Sequence, residues 1–213
     1  AEMTAFEFFF SFYGLLLGLS LAVIATGAAR SFKHRRSVRI GWMTPLLAVF
    51  AALDIATFWD AAWANFRHLP YSYGLLVAGL VIALTYFIAA ALIFPDADDD
   101  PTSLDDHFWT HRRAVLGLLI LANLMAFAAL FWANTSRVLG MGLIWNYVIT
   151  MGLYLALIGT AALSRRRWLI VSALGLHIAI YLALAALSAG TPPAPADAQG
   201  QVIGPDRTDG GAS

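Results

Sequence analysis

The chain has 213 residues, of which 60% are apolar and only 12% are charged, and its mean hydropathy is +0.73. This balance is typical of an integral membrane protein. The 13 lysine and arginine residues balance the 13 aspartate and glutamate residues, so the formal net charge is zero. An excess of positive charge that would favour a nucleic-acid partner is therefore missing. The absence of cysteine excludes disulfides, thiolate metal sites and cysteine nucleophiles.

Six continuous apolar runs follow one another along the chain. Each is long enough to cross a hydrocarbon core of ~30 Å, which takes about 20 helical residues. The runs lack the alternating polarity of membrane β-strands. The first has no basic segment before it and no small-residue cleavage site after it, so we expect it to be retained and not removed as a signal peptide. The sequence therefore predicts an all-α bundle of six transmembrane helices over residues 6–29, 41–66, 72–94, 108–133, 138–163 and 168–189.

The second run contains two aspartates at different predicted depths. At 1.5 Å per helical residue, Asp54 lies about 18 Å into its span, near the membrane midplane. A charge at that depth costs roughly 2.5–3.5 kcal/mol on insertion scales, so Asp54 should face protein and have a polar partner. Asp60 falls near the outer interface, in an aromatic belt with Trp59 and Trp63, and Glu7 of the first run falls near the same interface.

The segment before the fourth run carries two candidate cation sites. Residues 95–104 contain four aspartates but lack the ligand spacing and turn glycine of an EF-hand, so we favour a solvated loop. His107 and His111 then share one helix face, a spacing that suits a metal ion in zinc-binding helices. The third ligand and the adjoining glutamate of such helices are missing from the sequence. We therefore treat the two histidines as a weak metal site and favour an ordinary interfacial turn.

Three further polar residues fall at a depth similar to that of Asp54. Asn123 in the fourth run and His177 in the sixth lie about 15 and 14 Å into their spans, and Thr150 in the fifth lies at a comparable level. These four residues predict a midplane polar cluster contributed by four helices. It is either a proton-sensitive site, in which an aspartate faces a histidine, or a set of interhelical hydrogen bonds worth ~0.6 kcal/mol each. We favour the second interpretation.

The basic residues between the spans are unevenly distributed. Ten lysine and arginine residues lie in the first, third and fifth connections or beside them, and three lie on the opposite side. The positive-inside rule makes the richer side cytoplasmic and places both termini outside, in the periplasm of a bacterial inner membrane. Residues 190–213 are rich in proline, glycine and aspartate, and they are predicted to form a disordered periplasmic tail.

Several membrane chemistries are excluded by residues that the sequence lacks. The only lysine, Lys33, lies in a predicted loop, which excludes a retinal Schiff base, and no second deep histidine is available for a bis-histidine haem. A nucleophile-elbow serine, a P-loop and a dinucleotide fingerprint are also missing. An enzyme is therefore less favoured than a protein without catalytic activity. Bound lipid, quinone or pigment stays open as a cofactor.

Two functions from different classes fit these observations. The first is a non-catalytic accessory or structural subunit of a larger membrane protein complex, which contacts its partners through aromatic helix faces and the C-terminal tail. The alternative is a small proton-sensitive transporter or channel with its site around Asp54 and His177. The expected partners are the lipid bilayer and, for the first function, other membrane protein subunits.

Overall fold

The computed structural model describes residues 5–34, 41–66, 72–96, 103–134 and 141–189, and the predicted tail lies outside these ranges. The described residues form six α-helices, and all six are long and apolar enough to cross a membrane. The prediction of an all-helical chain with six such helices is confirmed. The helices are α1 (Ala5–Lys33), α2 (Met43–Phe66), α3 (Tyr73–Ala91), α4 (Leu104–Asn134), α5 (Met141–Leu163) and α6 (Arg167–Ala189).

Local sequence signals determine where several helices begin. Ser72 is the N-cap of α3, and its hydroxyl accepts a hydrogen bond from the backbone amide of Leu75. Before α4, the Ser103 hydroxyl accepts a bond from the Asp106 amide and donates one to the Asp106 carboxylate at 2.7 Å.

Only residues 164–166 separate α5 from α6. Such a short connection joins two neighbouring helices as a hairpin.

Helix α2 is the element around which the others are arranged. It packs against α1, α3, α4 and α6. The other neighbouring pairs are α1 with α3, α3 with α4, α4 with α5 and α5 with α6. Buried positions recur along α2 with the period of a helix, and Leu47, Phe50, Ala51, Asp54 and Ile55 are each at most 1% exposed. Asp54 therefore lies on the buried face of the most central helix.

Small residues allow α1 and α3 to approach each other closely. A Cβ atom on Gly79 of α3 would lie 2.5 Å from the ring of Tyr13 of α1. The Tyr13 hydroxyl donates a hydrogen bond to the Leu76 carbonyl at 2.6 Å. Near the other end of α1, a Cβ atom on Gly27 would lie 2.6 Å from the Phe94 ring. These contacts are of the kind that small residues permit between membrane helices.

The outward faces of the helices are apolar. Soluble monomers rarely expose large contiguous apolar surfaces, so this surface suits lipid or a partner helix. The six spans and this surface together suggest a multi-pass membrane protein. Among the most exposed large side chains are Leu15, Trp42, Trp132, Leu163 and Leu187.

Candidate functional site

Asp54 is a buried carboxylate whose two oxygens both accept hydrogen bonds from other helices. Its Oδ1 accepts a bond from the Tyr181 hydroxyl of α6 at 2.6 Å. Its Oδ2 accepts a bond from the Asn123 amide of α4 at 2.9 Å, and the Tyr154 hydroxyl of α5 donates to the same oxygen at 3.4 Å. Hydrogen bonds to an ionised acceptor are roughly twice as strong as neutral ones. Three helices thus supply donors to one carboxylate on a fourth.

Asn123 is the second junction of the site. Its side-chain nitrogen lies 2.9 Å from Asp54 Oδ2, 2.9 Å from the Tyr154 hydroxyl, 3.0 Å from the Tyr86 hydroxyl of α3 and 3.0 Å from the Leu119 carbonyl. An amide nitrogen carries two protons, so it cannot serve four acceptors fully at once. The phenols can donate as well as accept. The protons of this network therefore have more than one arrangement for the same positions of the heavier atoms.

Helices α2 to α6 each contribute one residue to this network. Tyr86 is fully buried and Tyr154 is 5% exposed, so both hydroxyls are removed from the surface. A carboxylate, an amide and three phenols are thus hydrogen-bonded to one another in the interior of the bundle. We call it the Asp54 centre, and it consists of Asp54, Tyr86, Asn123, Tyr154 and Tyr181.

His177 lies beside the Asp54 centre, one helical turn before Tyr181 on α6. Its ring stands edge-on to the rings of Phe50, Tyr154 and Tyr181, at centroid distances of 5.7, 5.3 and 4.6 Å. The residue is 5% exposed, and among the described residues its Nδ1 has no hydrogen-bond partner. A buried unpaired nitrogen costs about 1–3 kcal/mol. A polar group that entered this site would find a nitrogen available to bind it.

The structure brings together three of the four residues grouped by predicted depth. Asn123 donates to Asp54, and His177 packs against two tyrosines of the Asp54 centre. Thr150 does not reach them, because its side chain is exposed and its hydroxyl donates to the Asn146 carbonyl of the same helix at 2.6 Å. Position along a helix determines depth, but it does not determine the direction in which a side chain points.

Sequence reasoning missed the three tyrosines of the Asp54 centre. A signal was available for Tyr181, because it follows His177 by one turn. Residues four apart lie on the same helix face and at similar depth. A buried tyrosine usually finds a hydrogen-bond partner for its hydroxyl. Tyr181 was therefore a candidate for the same cluster, whereas the exposed Thr150 gave no such signal for Tyr154.

Two of the residues predicted at the outer interface, Trp59 and Trp63, join α1 to α2. Trp59 and Trp63 both stand edge-on to the Phe10 ring, at centroid distances of 4.5 and 4.8 Å. Asp60, between them in sequence, is exposed. The side chain of Glu7 lies outside the described part of the structure. The two tryptophans therefore pack between helices as well as facing outwards.

His107 and His111 stack on each other with ring centroids 4.2 Å apart. The Nε2 atom of His107 lies 3.2 Å from the Leu92 carbonyl, just after α3, and the Nδ1 atom of His111 lies 3.2 Å from the His107 carbonyl. Over the described ranges, no group of three or more histidine, cysteine, aspartate or glutamate side chains is placed to hold a metal ion. The contacts of these histidines are those of a helix start packed against the end of α3.

A cavity of ≈ 310 Å³ lies where the end of α1 meets the start of α2. Its walls are almost entirely apolar, so it suits a hydrocarbon chain, such as a lipid tail or the isoprenoid chain of a quinone, better than a polar substrate. Its lining includes Ile24, Phe32, Pro45, Val49, Phe94 and Leu104.

Fold and site together define a class: an all-helical chain with six helices of membrane-spanning length and a buried, hydrogen-bonded carboxylate at the centre of the bundle. Neither a protein-family model, nor a curated protein sequence, nor a solved structure matches this chain. Its function is therefore inferred from its residues and their geometry.

Proposed function

We propose that the chain is a small proton-sensitive transporter or channel of a bacterial inner membrane, and that the Asp54 centre is its site. The observation that carries this proposal is the buried carboxylate of Asp54, held by donors on α4, α5 and α6. Ionisable residues inside membrane segments are costly and most often belong to ion or proton pathways. If the role of this position were purely structural, a neutral polar residue could make hydrogen bonds there at a lower free-energy cost of membrane insertion.

Protonation of Asp54 changes the contacts between helices. A protonated carboxyl carries a donor on one oxygen, so the bond that this oxygen accepted, from Tyr181 at Oδ1 or from Asn123 at Oδ2, is weakened or rearranges. Because Asn123 and Tyr181 belong to α4 and α6, the rearrangement acts on the packing of one of these helices against α2. A proton that biases two arrangements of packed helices can open or close a path through the bundle. Beside the tyrosines, Nδ1 of His177 is a second group, after the Asp54 carboxylate, that can accept a proton.

The placement of the chain in the bilayer is part of this proposal. With the basic ends of the helices in the cytoplasm, both termini are periplasmic. Helix α2 begins at Met43, so Asp54 lies about 17 Å along it, which is the middle of a core ~30 Å thick. At that depth lipid headgroups do not reach the carboxylate, so the side chains of α4, α5 and α6 supply its hydrogen bonds.

Proton flux in liposomes that contain a pH-sensitive dye tests the proposal. The parent protein should dissipate an imposed pH gradient, and Asp54→Asn should abolish this flux because it removes the titratable group while keeping the shape of the side chain. Asp60→Asn changes an exposed carboxylate on the same helix and is the matched control, which should behave as the parent does. A parent without flux, or an Asp54→Asn protein as fast as the parent, would contradict the proposal.

A second function, a non-catalytic subunit of a larger membrane complex, is favoured by one face of α5. Gly152, Ala156 and Thr160 are spaced four residues apart and are exposed, and no atom lies within 4 Å of a Cβ placed on Gly152. Rows of small residues at this spacing allow a second helix to approach closely. This face, the outward aromatic side chains and the tail would then be the contacts with partner subunits.

Gentle solubilisation of native membranes followed by native mass analysis tests the subunit proposal. The chain should migrate with other subunits, and Gly152→Leu should release it from them because the larger side chain blocks the approach of a helix. Gly117→Leu, on α4, is the control, because a Cβ there also meets nothing within 4 Å. A parent chain that runs alone or as a homo-oligomer would contradict this function.

A further inference from the structure

Arg112 of α4 is a buried cation with unpaired nitrogens. Only 3% of the residue is exposed, and among the described residues its Nε and Nη1 atoms have no hydrogen-bond partner. A guanidinium group carries five N–H donors and keeps its charge in proteins. Buried charges are stable when they are paired and hydrogen-bonded. The two nitrogens therefore lack the hydrogen bonds that a buried guanidinium group requires, and an anion could supply them.

The surroundings of Arg112 add positive charge. Its guanidinium carbon lies 4.1 Å from the centre of the Trp109 ring, and that of Arg167 on α6 lies 5.9 Å from the same centre. The face of the indole ring attracts a cation but leaves the N–H donors unused. Arg113 and Arg165 are close enough for their charges to act on Arg112. Two arginines therefore lie against one tryptophan, and the charges of two more act on Arg112.

The two acidic residues nearest to this group along α4 are engaged elsewhere. Asp105 accepts a bond from the backbone amide of Met43 at 3.4 Å, and Asp106 accepts one from the Ser103 hydroxyl at 2.7 Å. Both bonds connect the start of α4 to the chain around it. Neither aspartate is hydrogen-bonded to Arg112.

The length of α4 places this group at the level of lipid headgroups. The helix has 31 residues and is therefore about 46 Å long, against a hydrocarbon core of ~30 Å. The charged residues of α4 lie in its first turns and its last turn has no basic residue, so the excess length belongs to the basic end. In a membrane, the cytoplasmic leaflet is rich in anionic lipid and attracts clustered basic residues.

We propose that Trp109, Arg112, Arg165 and Arg167 form a binding site for a phosphate group, carried either by an anionic phospholipid headgroup or by a free phosphate. Guanidinium groups match phosphate oxygens in planar geometry and charge. A phosphate group has more acceptor oxygens than a carboxylate. It can therefore accept hydrogen bonds from several arginines at once. The site is separate from the Asp54 centre, and the inference does not depend on the proposed transport function.

Thermal unfolding of the detergent-purified chain tests this site. Phosphatidylglycerol and inorganic phosphate are titrated separately at constant ionic strength, with phosphatidylcholine as the neutral lipid. A bound ligand raises the melting temperature with its concentration. Arg112→Gln should weaken the apparent affinity at least about tenfold, because a hydrogen bond to a charged group is worth that much or more. Arg30→Gln removes an exposed arginine at the end of α1 and should bind as the parent does.

The ligand that stabilises the parent identifies the source of the phosphate group. Stabilisation by phosphatidylglycerol alone assigns the site to a lipid headgroup, and stabilisation by inorganic phosphate assigns it to a free phosphate. A parent that responds equally to both lipids and not to phosphate overturns the proposal, as does an Arg112→Gln protein with unchanged affinity. If Arg112→Gln does not fold, Arg167→Gln, which changes an exposed side chain, replaces it. Unchanged binding by that variant overturns the proposal as well.

Discussion

The hydroxyl of Tyr181 donates a hydrogen bond of 2.6 Å to Oδ1 of Asp54. It is shorter than the bonds that Oδ2 of Asp54 accepts from Asn123 and Tyr154, at 2.9 and 3.4 Å, and it joins α6 to the central helix α2. The Tyr181 ring also stacks on Phe50 of α2, with a centroid distance of 6.3 Å and an interplanar angle of 12°. The ring and the hydroxyl of Tyr181 therefore make separate contacts with the same helix.

Tyr181→Phe should remove the hydrogen bond and keep the ring contact. The buried acceptor Oδ1 then loses its donor, which we expect to lower the free energy of unfolding by about 1.5–3 kcal/mol. Tyr73→Phe, at an exposed tyrosine that begins α3, is the control and should change stability little. Unfolding in mixed detergent micelles measures both variants. Equal stability of Tyr181→Phe and the parent would show that the bond contributes nothing.

Asn123→Ala and Thr150→Ala compare two polar residues that the sequence places at similar depth. Loss of the Asn123 amide removes the donor to Asp54 and leaves a space among Tyr86 and Tyr154, so we expect a loss of about 2–4 kcal/mol. Thr150 is exposed and bonds only to its own helix, so its change should be within about 0.5 kcal/mol. The same unfolding assay compares the two proteins. Similar losses for both variants would contradict the position that the structure gives to Thr150.

The number and approximate limits of the helices could be predicted from the sequence, because a long apolar run in a bilayer must satisfy its backbone within a helix. Membership of the Asp54 centre could be predicted only in part. In a soluble protein, the polar face of a helix marks its outer side. Here the outer faces are apolar as well, as Leu15 of α1 shows at 71% exposure, so the sequence gives depth but not rotation. Depth alone therefore groups Thr150 with Asp54, although the Thr150 side chain points away from the Asp54 centre.

Gly79→Ala should destabilise the contact between α1 and α3. Its Cβ atom would lie 2.5 Å from the Tyr13 ring, and overpacking of this kind costs about 1–3 kcal/mol. Gly74→Ala, on the same helix, meets nothing within 4 Å and is the matched control. Because alanine favours a helix over glycine, the control should be neutral or more stable by up to about 1 kcal/mol. A Gly79→Ala protein as stable as the control would contradict the close approach.

His177→Leu separates a structural role from a functional one. The Nδ1 atom has no hydrogen-bond partner among the described residues, so replacement by an apolar side chain should change the free energy of unfolding by no more than about 1 kcal/mol. If His177 accepts protons from the Asp54 centre, the same variant should slow proton flux in liposomes. Both quantities are measured on one preparation. Parent-like flux would remove His177 from the proposed site.

In the proposed function, Asp54 gains and loses a proton inside the bundle. Infrared difference spectroscopy between acidic and neutral pH, on protein reconstituted in lipid, reports the carbonyl band of a protonated carboxylic acid. We predict a band that appears on acidification in the parent and in Asp60→Asn and that is missing from Asp54→Asn. The same band in the parent and in Asp54→Asn would contradict the claim, because it would belong to other carboxyl groups.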